Sequence, residues 1–323
     1  MRRRVARRSR SVCGTCGTVA YRNPIPGARA IVEREGLVLF ALHARGWDTP
    51  GGYLEEGEDL LSCLAREVRE ETGLRVAPTG FVGVYNHAAG RGRVLNLYFR
   101  ARVTGGRERP GDDVRELGWF SARLLPALAH PEDNARVLAD WRRGRGAIPL
   151  LRRGPAVRAG PRDRFCARCG GRLVRQVCGD CGAIAYRNPK PCAGALVERD
   201  GKVMLVRRAV VPYRGWWDIP GGFLEAYEHP REAAVREVRE ETGLRVNAFR
   251  LLGIYLDRYG STRTLNLYYR ARAVGGRERP GDDAAEVGWF GPRELPSRVA
   301  YPFHARLALA DWAEAASKRV QES

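Results

Sequence analysis

Six glutamates recur in this chain in two identically spaced groups, and their spacing suits them to hold a divalent cation. Glu67, Glu70 and Glu71 stand at i, i+3 and i+4, as do Glu237, Glu240 and Glu241. On a helix each trio shares one face. Carboxylates that close repel one another and rise in pKa unless a counter-charge arrives. A hard, oxygen-seeking ion such as Mg²⁺ or Mn²⁺ is the natural counter-charge, and such ions bridge protein carboxylates to substrate phosphates. A solvated Glu/Arg helix face explains each glutamate singly, but neither the flanking glycines nor the repetition.

The full stretches are Gly52–Leu74 (GYLEEGEDLLSCLAREVREETGL) and Gly222–Leu244 (GFLEAYEHPREAAVREVREETGL). Both read Gly, five residues, Glu, seven residues, then Arg-Glu-aliphatic-x-Glu-Glu-x-Gly-aliphatic. Each resembles a complete Nudix box, the signature of the Nudix hydrolases. The resemblance implies hydrolysis of a diphosphate linkage by water, with Glu70, Glu71, Glu240 and Glu241 as principal ligands of Mg²⁺ or Mn²⁺. It makes Glu67 and Glu237 either ligand or general base. Arg66 and Arg236 would orient the carboxylates, Glu58 and Glu228 would support the loop, and Gly52 and Gly222 would open it towards substrate. Gly57 of the first box is replaced by Tyr227 in the second.

Cys166-x-x-Cys169, eight residues, then Cys178-x-x-Cys181 has the spacing of a Cys₄ zinc ribbon, a closed site that implies structural Zn²⁺ rather than catalysis. The first copy offers only Cys13 and Cys16, so residues 1–26 are expected to be an incomplete ribbon remnant. Cys63 and Cys192 read as small buried apolar residues. A ribbon joined to the box domain through AYRNPKP is similar to the zinc-ribbon NADH, FAD and ADP-ribose pyrophosphatases. No segment like SQPWPFP follows either box, which favours ADP-ribose, FAD or a related nucleoside diphosphate derivative over NADH.

The elements that must position these residues are themselves duplicated. Cys13–Pro26 aligns with Cys178–Pro191, and GGRERPGDD is identical at 105–113 and 275–283, each followed by GWF. Apolar runs at 28–33 and 37–42, and at 193–198 and 202–208, flank Gly turns and predict hairpins. In the second copy that strand ends in Arg207-Arg208, whose guanidinium groups suit a diphosphate; the first has Leu42-His43. Of Trp47, Trp216 and Trp217, the pair that aligns across copies is expected in the core. Pro230 suits a helix start, and Gly73 and Gly243 suit left-handed helix caps. Glu116 and Glu286, before each GWF strand, are candidates for a further acid at the metal site, in competition with Asp112, Asp113, Asp282 and Asp283. The order of strands, box helix, strands and final helix predicts an α/β (α+β) fold: two tandem Nudix-like α/β/α sandwiches with mixed sheets, the second preceded by the ribbon. The expected divisions are a first domain at 27–141, a basic tether at 142–164, the ribbon at 165–190, a second domain at 191–316 and a tail at 317–323.

The net charge of +19 raises the question of nucleic acid, but arginine supplies all but three of the 56 basic residues, a bias that equally fits a GC-rich genome. RNA is therefore the weaker partner expectation beside a small nucleotide substrate. No apolar run approaches membrane-spanning length, and no apolar segment follows the basic start, so a membrane or secreted protein is not expected. Cysteines in CxxC pairs indicate a reducing, cytoplasmic setting. The favoured function is a metal-dependent pyrophosphohydrolase. The alternatives are a dNTP-sanitising or RNA-cap-removing hydrolase and a non-catalytic nucleotide sensor or nucleic-acid-binding regulator.

Overall fold

The computed structural model describes residues 23–55, 57–89, 92–121, 123–144, 146–154, 188–259 and 262–321, with shorter pieces at 2–5, 8–12, 19–20, 165–166, 169, 171–174 and 177–182. Cys13, Cys16 and residues 155–164 of the expected tether lie outside them.

Each half is built on a mixed sheet. In the first, the strand order is Glu116–Ser121, Leu37–His43, Ile25–Arg34, Gly92–Gly106, Leu74–Ala89. Ile25–Arg34 and Gly92–Gly106 run parallel, and the other neighbours are antiparallel. The predicted hairpin closes through Glu35 and Gly36, both at positive φ (53° and 78°). The second half repeats the order with Ala284–Phe290, Lys202–Arg208, Lys190–Arg199, Thr262–Gly276 and Leu244–Tyr259.

The box helices are α1 (Leu60–Thr72) and α3 (Pro230–Thr242), and the closing helices are α2 (Pro131–Arg143) and α4 (His304–Gln321). Helix α1 starts where Asp59 accepts from Leu61 N and Ser62 N. It ends at Gly73, whose φ of 71° is left-handed. Helix α3 starts with Pro230 in its first turn, behind a His229/Glu232 capping box, and ends at Gly243 in the same conformation. The buried face of α1 is Leu60, Cys63, Leu64 and Val68; that of α3 is Ala233, Ala234 and Val238. Leu61 and Val235 are half-buried.

Each sheet is covered on both faces. Val137, Leu138 and Trp141 of α2 pack against Ile31, Phe40 and Tyr98, and Ala308, Leu309 and Trp312 of α4 against Leu196, Leu205 and Tyr268. On the opposite faces the layers under α1 and α3 form one apolar cluster that runs through both halves, including Leu54, Leu64 and Val68 with Leu224, Ala234 and Val238. Each fully buried aliphatic side chain contributes about 1.5–3 kcal/mol, so neither box helix is packed independently of the other half. The closing helices are also tied by charge: Arg100 and Trp141 both bond Glu33, and Arg270 and Trp312 both bond Glu198. Trp47 and Trp217, the aligned tryptophans, pack edge-on against Phe120 and Phe290 at 5.0 and 4.8 Å, a core role as expected.

The halves are joined reciprocally. Asn23 Nδ2 donates to Leu224 O and Asn188 Nδ2 to Leu54 O, both at 2.8 Å. A further clamp acts on the second box loop alone. Asn86 Nδ2 donates to Ala226 O and Glu228 O, and His229 Nε2 to Val84 O. Leu256 stands at Asn86's equivalent position and has no amide to return the contact. Part of the expected tether is ordered structure. Leu150–Arg153 adds a parallel strand beside Gly253–Leu256, and Arg152 bonds Asp311 of α4. The apolar pair Leu150-Leu151 gives it a sheet edge to join, which outweighs the self-repulsion expected of its arginines.

Candidate metal centres and active site

The two boxes fold alike because one arginine organises each. Arg66 binds Glu58 through Nε and Nη2, each at 2.9 Å, while Nη1 reaches Glu67 at 2.7 Å and Glu70 at 3.2 Å. Arg236 repeats this with Glu228, Glu237 and Glu240 at 2.6–3.1 Å. Such forked, charge-assisted bonds fix the carboxylates in orientation as well as charge. Glu58 and Glu228 also accept from the backbone N–H of Glu55 and Glu225, closing the box loops. Gly52 and Gly222 lie directly under the carboxylates of Glu67 and Glu237. A Cβ on either glycine would come within 2.4 Å of the carboxylate, so the glycines make room for the acid.

Glu71 and Glu241 face inward and are 6 % and 7 % exposed. Burial pushes Glu71 up to about 8, opposed by the Arg29 charge and by a hydrogen bond from Gly51 N at 3.0 Å. Glu241 is raised well above the ordinary carboxylate range, again by burial first and then by the charges of Glu237, Asp283 and Asp218. Its Oε2 is buried without a hydrogen-bond partner. An anion left so is costly unless a cation joins it, so the residues fit the divalent ion that the box implies. Burial also raises Glu67, and it raises Glu237 to about 7 against the opposing pull of Arg236.

Asp113 and Asp283, rather than Glu116 and Glu286, are the acids brought to Glu71 and Glu241. Arg109 N and Gly111 N bond Thr72 O and Glu71 O at the end of α1, and Arg279 N and Gly281 N bond Thr242 O and Glu241 O at the end of α3. This stitch carries Asp113 to Glu71, where His43 joins them: ligand atoms of the three lie within 4.8 Å of one another. Asp283 acts on Glu241 in the same way. Glu116 is exposed, and Glu286 pairs with Arg207 at 2.6 Å. The identical GGRERPGDD segments were the signal that could have singled these aspartates out. Of the expected arginine pair, only Arg208 lines the second cavity, at 3.2 Å from Asp218; neighbouring strand residues point to opposite faces, which turns Arg207 outward.

The cavities differ. The first, about 770 Å³, includes Arg29, His43, Glu67, Glu70, Glu71, Asp113 and, from the other half, Asn188. The second, about 240 Å³, is lined by Arg208, Glu237, Glu241, Asp283, Tyr268, Tyr301 and His304 among others. The Tyr301 ring in its wall meets the Tyr213 ring edge-on at 5.0 Å.

Cys166, Cys169, Cys178 and Cys181 gather with Sγ···Sγ distances of 3.4–3.7 Å beside a two-strand hairpin, Leu173–Val174 and Val177–Cys178. The four thiols could hold a metal ion and have the donor set of a closed zinc site.

The family model described as "NUDIX domain" matches residues 24–141 and 188–310, more than half of the chain. The chain belongs to the NUDIX family. Its site residues support hydrolase activity. An ADP-ribose pyrophosphatase of Methanocaldococcus jannaschii is 36 % identical over 34 % of this chain and 67 % of its own. A MutT-like protein of Streptomyces ambofaciens is 39 % identical over 36 % of this chain and 71 % of its own. An NAD-capped RNA hydrolase of Pseudomonas aeruginosa is 34 % identical over 43 % of this chain, which spans 52 % of that relative. A solved NUDIX hydrolase from Nitrosomonas europaea is 30 % identical, with 49 % of this chain and 93 % of that chain covered and a TM-score of 0.43. No helix among the described residues is long and apolar enough to cross a membrane.

Proposed function

We propose that this NUDIX hydrolase cleaves the diphosphate linkage of a nucleoside diphosphate derivative, of the ADP-ribose, FAD or NAD(H) kind, by attack of water. The observation that carries the reading is the buried, unpartnered Glu241 Oε2 beside Glu237 and Asp283, a charge arrangement suited to a cation that a diphosphate would share. Glu240, Glu241 and Asp283 would hold Mg²⁺ or Mn²⁺ in the second half, and Glu70, Glu71 and Asp113 would hold the divalent ion of the first. Such an ion, when bound, neutralises phosphate charge and lowers the pKa of a bound water.

The chain's own residues do the rest. Arg236 holds Glu237 Oε1 and Glu240 Oε2, so Glu237 Oε2 is the atom that takes the proton from the attacking water. Burial raises the Glu237 carboxyl to about 7 in the metal-free chain, which suits it to accept a proton. Arg208, which lines the second cavity, supplies a guanidinium to the diphosphate. The ADP-ribose pyrophosphatase relative supports the substrate class, as does the expected ribbon of four cysteines, which we assign as structural zinc.

The test is turnover with Mg²⁺ of ADP-ribose, FAD, NADH, NAD⁺ and dNTPs by the wild type and the Glu71→Gln/Glu241→Gln double variant. Hydrolysis of a diphosphate-bridged compound that the double variant loses is the expected result. Turnover of dNTPs alone would move the chain to nucleotide-pool sanitation, and tight binding without turnover would make it a sensor.

A further inference from the structure

The two halves distribute their cations differently around the same carboxylates. In the first, the half-buried Arg29 of strand Ile25–Arg34 bonds Thr49 O at 2.6 Å, pairs with Asp48 at 2.9 Å and acts on Glu71. The equivalent position in the second half is Gly194, with the Tyr268 ring against it. There the partner of the equivalent aspartate, Asp218, is Arg208, from the end of the next strand. The first half carries His43 at that strand end, with Nδ1 3.0 Å from Asp113 Oδ1 and Glu71 alongside. In both halves a guanidinium pairs with the equivalent aspartate, but it is carried by different strands, and only the first half has an imidazole at the strand end.

That exchange changes the chemistry of the first site. A guanidinium acts on the inward glutamate in both halves, Arg29 on Glu71 and Arg208 on Glu241, so the difference lies in the imidazole. An imidazole beside Glu71 and Asp113 supplies a nitrogen ligand, which Mg²⁺ does not favour and late first-row ions do. The second site has Arg208 at that place, which cannot ligate a metal. We propose that His43, Glu71 and Asp113 form a mixed nitrogen–oxygen site for a late first-row divalent ion of the Fe²⁺, Co²⁺, Ni²⁺ or Zn²⁺ class. The glutamates of the second half form an all-oxygen site of the Mg²⁺ class. The proposal rests on the metal-dependent reading of the boxes but concerns which ion each half selects.

The experiment uses the full chain with its cysteine site loaded with zinc, and Co²⁺ as the probe. Co²⁺ binding is followed by visible absorption and calorimetry, with Mg²⁺ as competitor. In the Glu241→Gln chain, only the first site is left intact; in the Glu71→Gln chain, only the second. The first should bind Co²⁺ about tenfold or more tightly than the second and resist displacement by Mg²⁺, following the ligand preferences of these ions. Adding His43→Gln, at a strand end where the side chain is partly exposed, should abolish that difference while the thermal transition stays in place. Equal Co²⁺ affinities in the two single variants, or no effect of His43→Gln, would overturn the proposal. Co²⁺ binding is read without turnover. Loss of the diphosphate-hydrolysis reading with the affinity gap intact would leave this inference standing, and the reverse result would remove it alone.

Discussion

Asn188, from the second half of the chain, donates its side-chain amide to the Leu54 carbonyl of the first half at 2.8 Å. Leu54 begins the loop that leads to Glu58, and Asn188 lines the first cavity. Each box loop is thus pinned by the other half, since Asn23 does the same for Leu224. Asn188→Ala leaves the Leu54 carbonyl without this donor, at a cost of about 1–3 kcal/mol. Denaturant unfolding should show that loss, and Asn23→Ala should show a similar one. A stability unchanged by either substitution would mean that these two amides contribute nothing to holding the halves together.

Much of this was written in the spacing. The glutamate faces, the glycine caps and Pro230 followed from helix periodicity and backbone preference, which act within a few residues. Asp113 and Asp283 were visible only as two of several acids, because their place depends on Gly111 N and Gly281 N meeting the ends of α1 and α3. The outward turn of Arg207 was legible from strand alternation once Arg208 was placed. The exchange of Arg29 for Gly194 was not, since it needs the face of each strand and the neighbour across it. The Asn23 and Asn188 contacts depend on how the halves meet, which no local pattern encodes.

Arg236 holds three acids at once, so its replacement should be costly. Arg236→Ala leaves Glu228, Glu237 and Glu240 facing one another in a site where the arginine side chain is only 17 % exposed. Breaking such a partly buried network costs about 3–5 kcal/mol when fully desolvated, and somewhat less here. Arg236→Lys keeps the charge but loses the fork that grips Glu228 with two nitrogens, so it should also lower turnover, with a smaller loss of stability. Thermal unfolding and single-turnover rates separate the two effects. Full activity in Arg236→Lys would show that charge alone suffices.

The four clustered thiols should bind one zinc ion per chain, measured as metal content after purification without chelator. Cys178 is 1 % exposed and paired with Cys169 at 3.4 Å. Cys178→Ser should therefore lower the zinc content to near zero and destabilise the Leu173–Cys178 hairpin. Because a Cys₄ site has no open coordination position, Mg²⁺ affinity at Glu241 should stay as in the wild type. A matching fall in Mg²⁺ affinity would instead tie the cysteines to the active site.

Glu71 and Glu237 give the metal-free protein a pH dependence opposite to that of a carboxylate paired with a cation in the folded state. Burial raises them to about 8 and about 7, so between the unfolded carboxyl pKa of about 4.3 and those values the folded state binds more protons than the unfolded. Stability then falls as pH rises through that window and levels off above about 8. A divalent ion binds the deprotonated carboxylates and reverses the trend. Saturating Mg²⁺ should raise the melting temperature more at pH 8 than at pH 5.5, by mass action on the folded state. In the Glu71→Gln/Glu241→Gln variant most of that pH-dependent gain should vanish. A metal-free melting temperature that climbs from pH 5.5 to 8 would show that these carboxylates are already ionised and compensated within the fold.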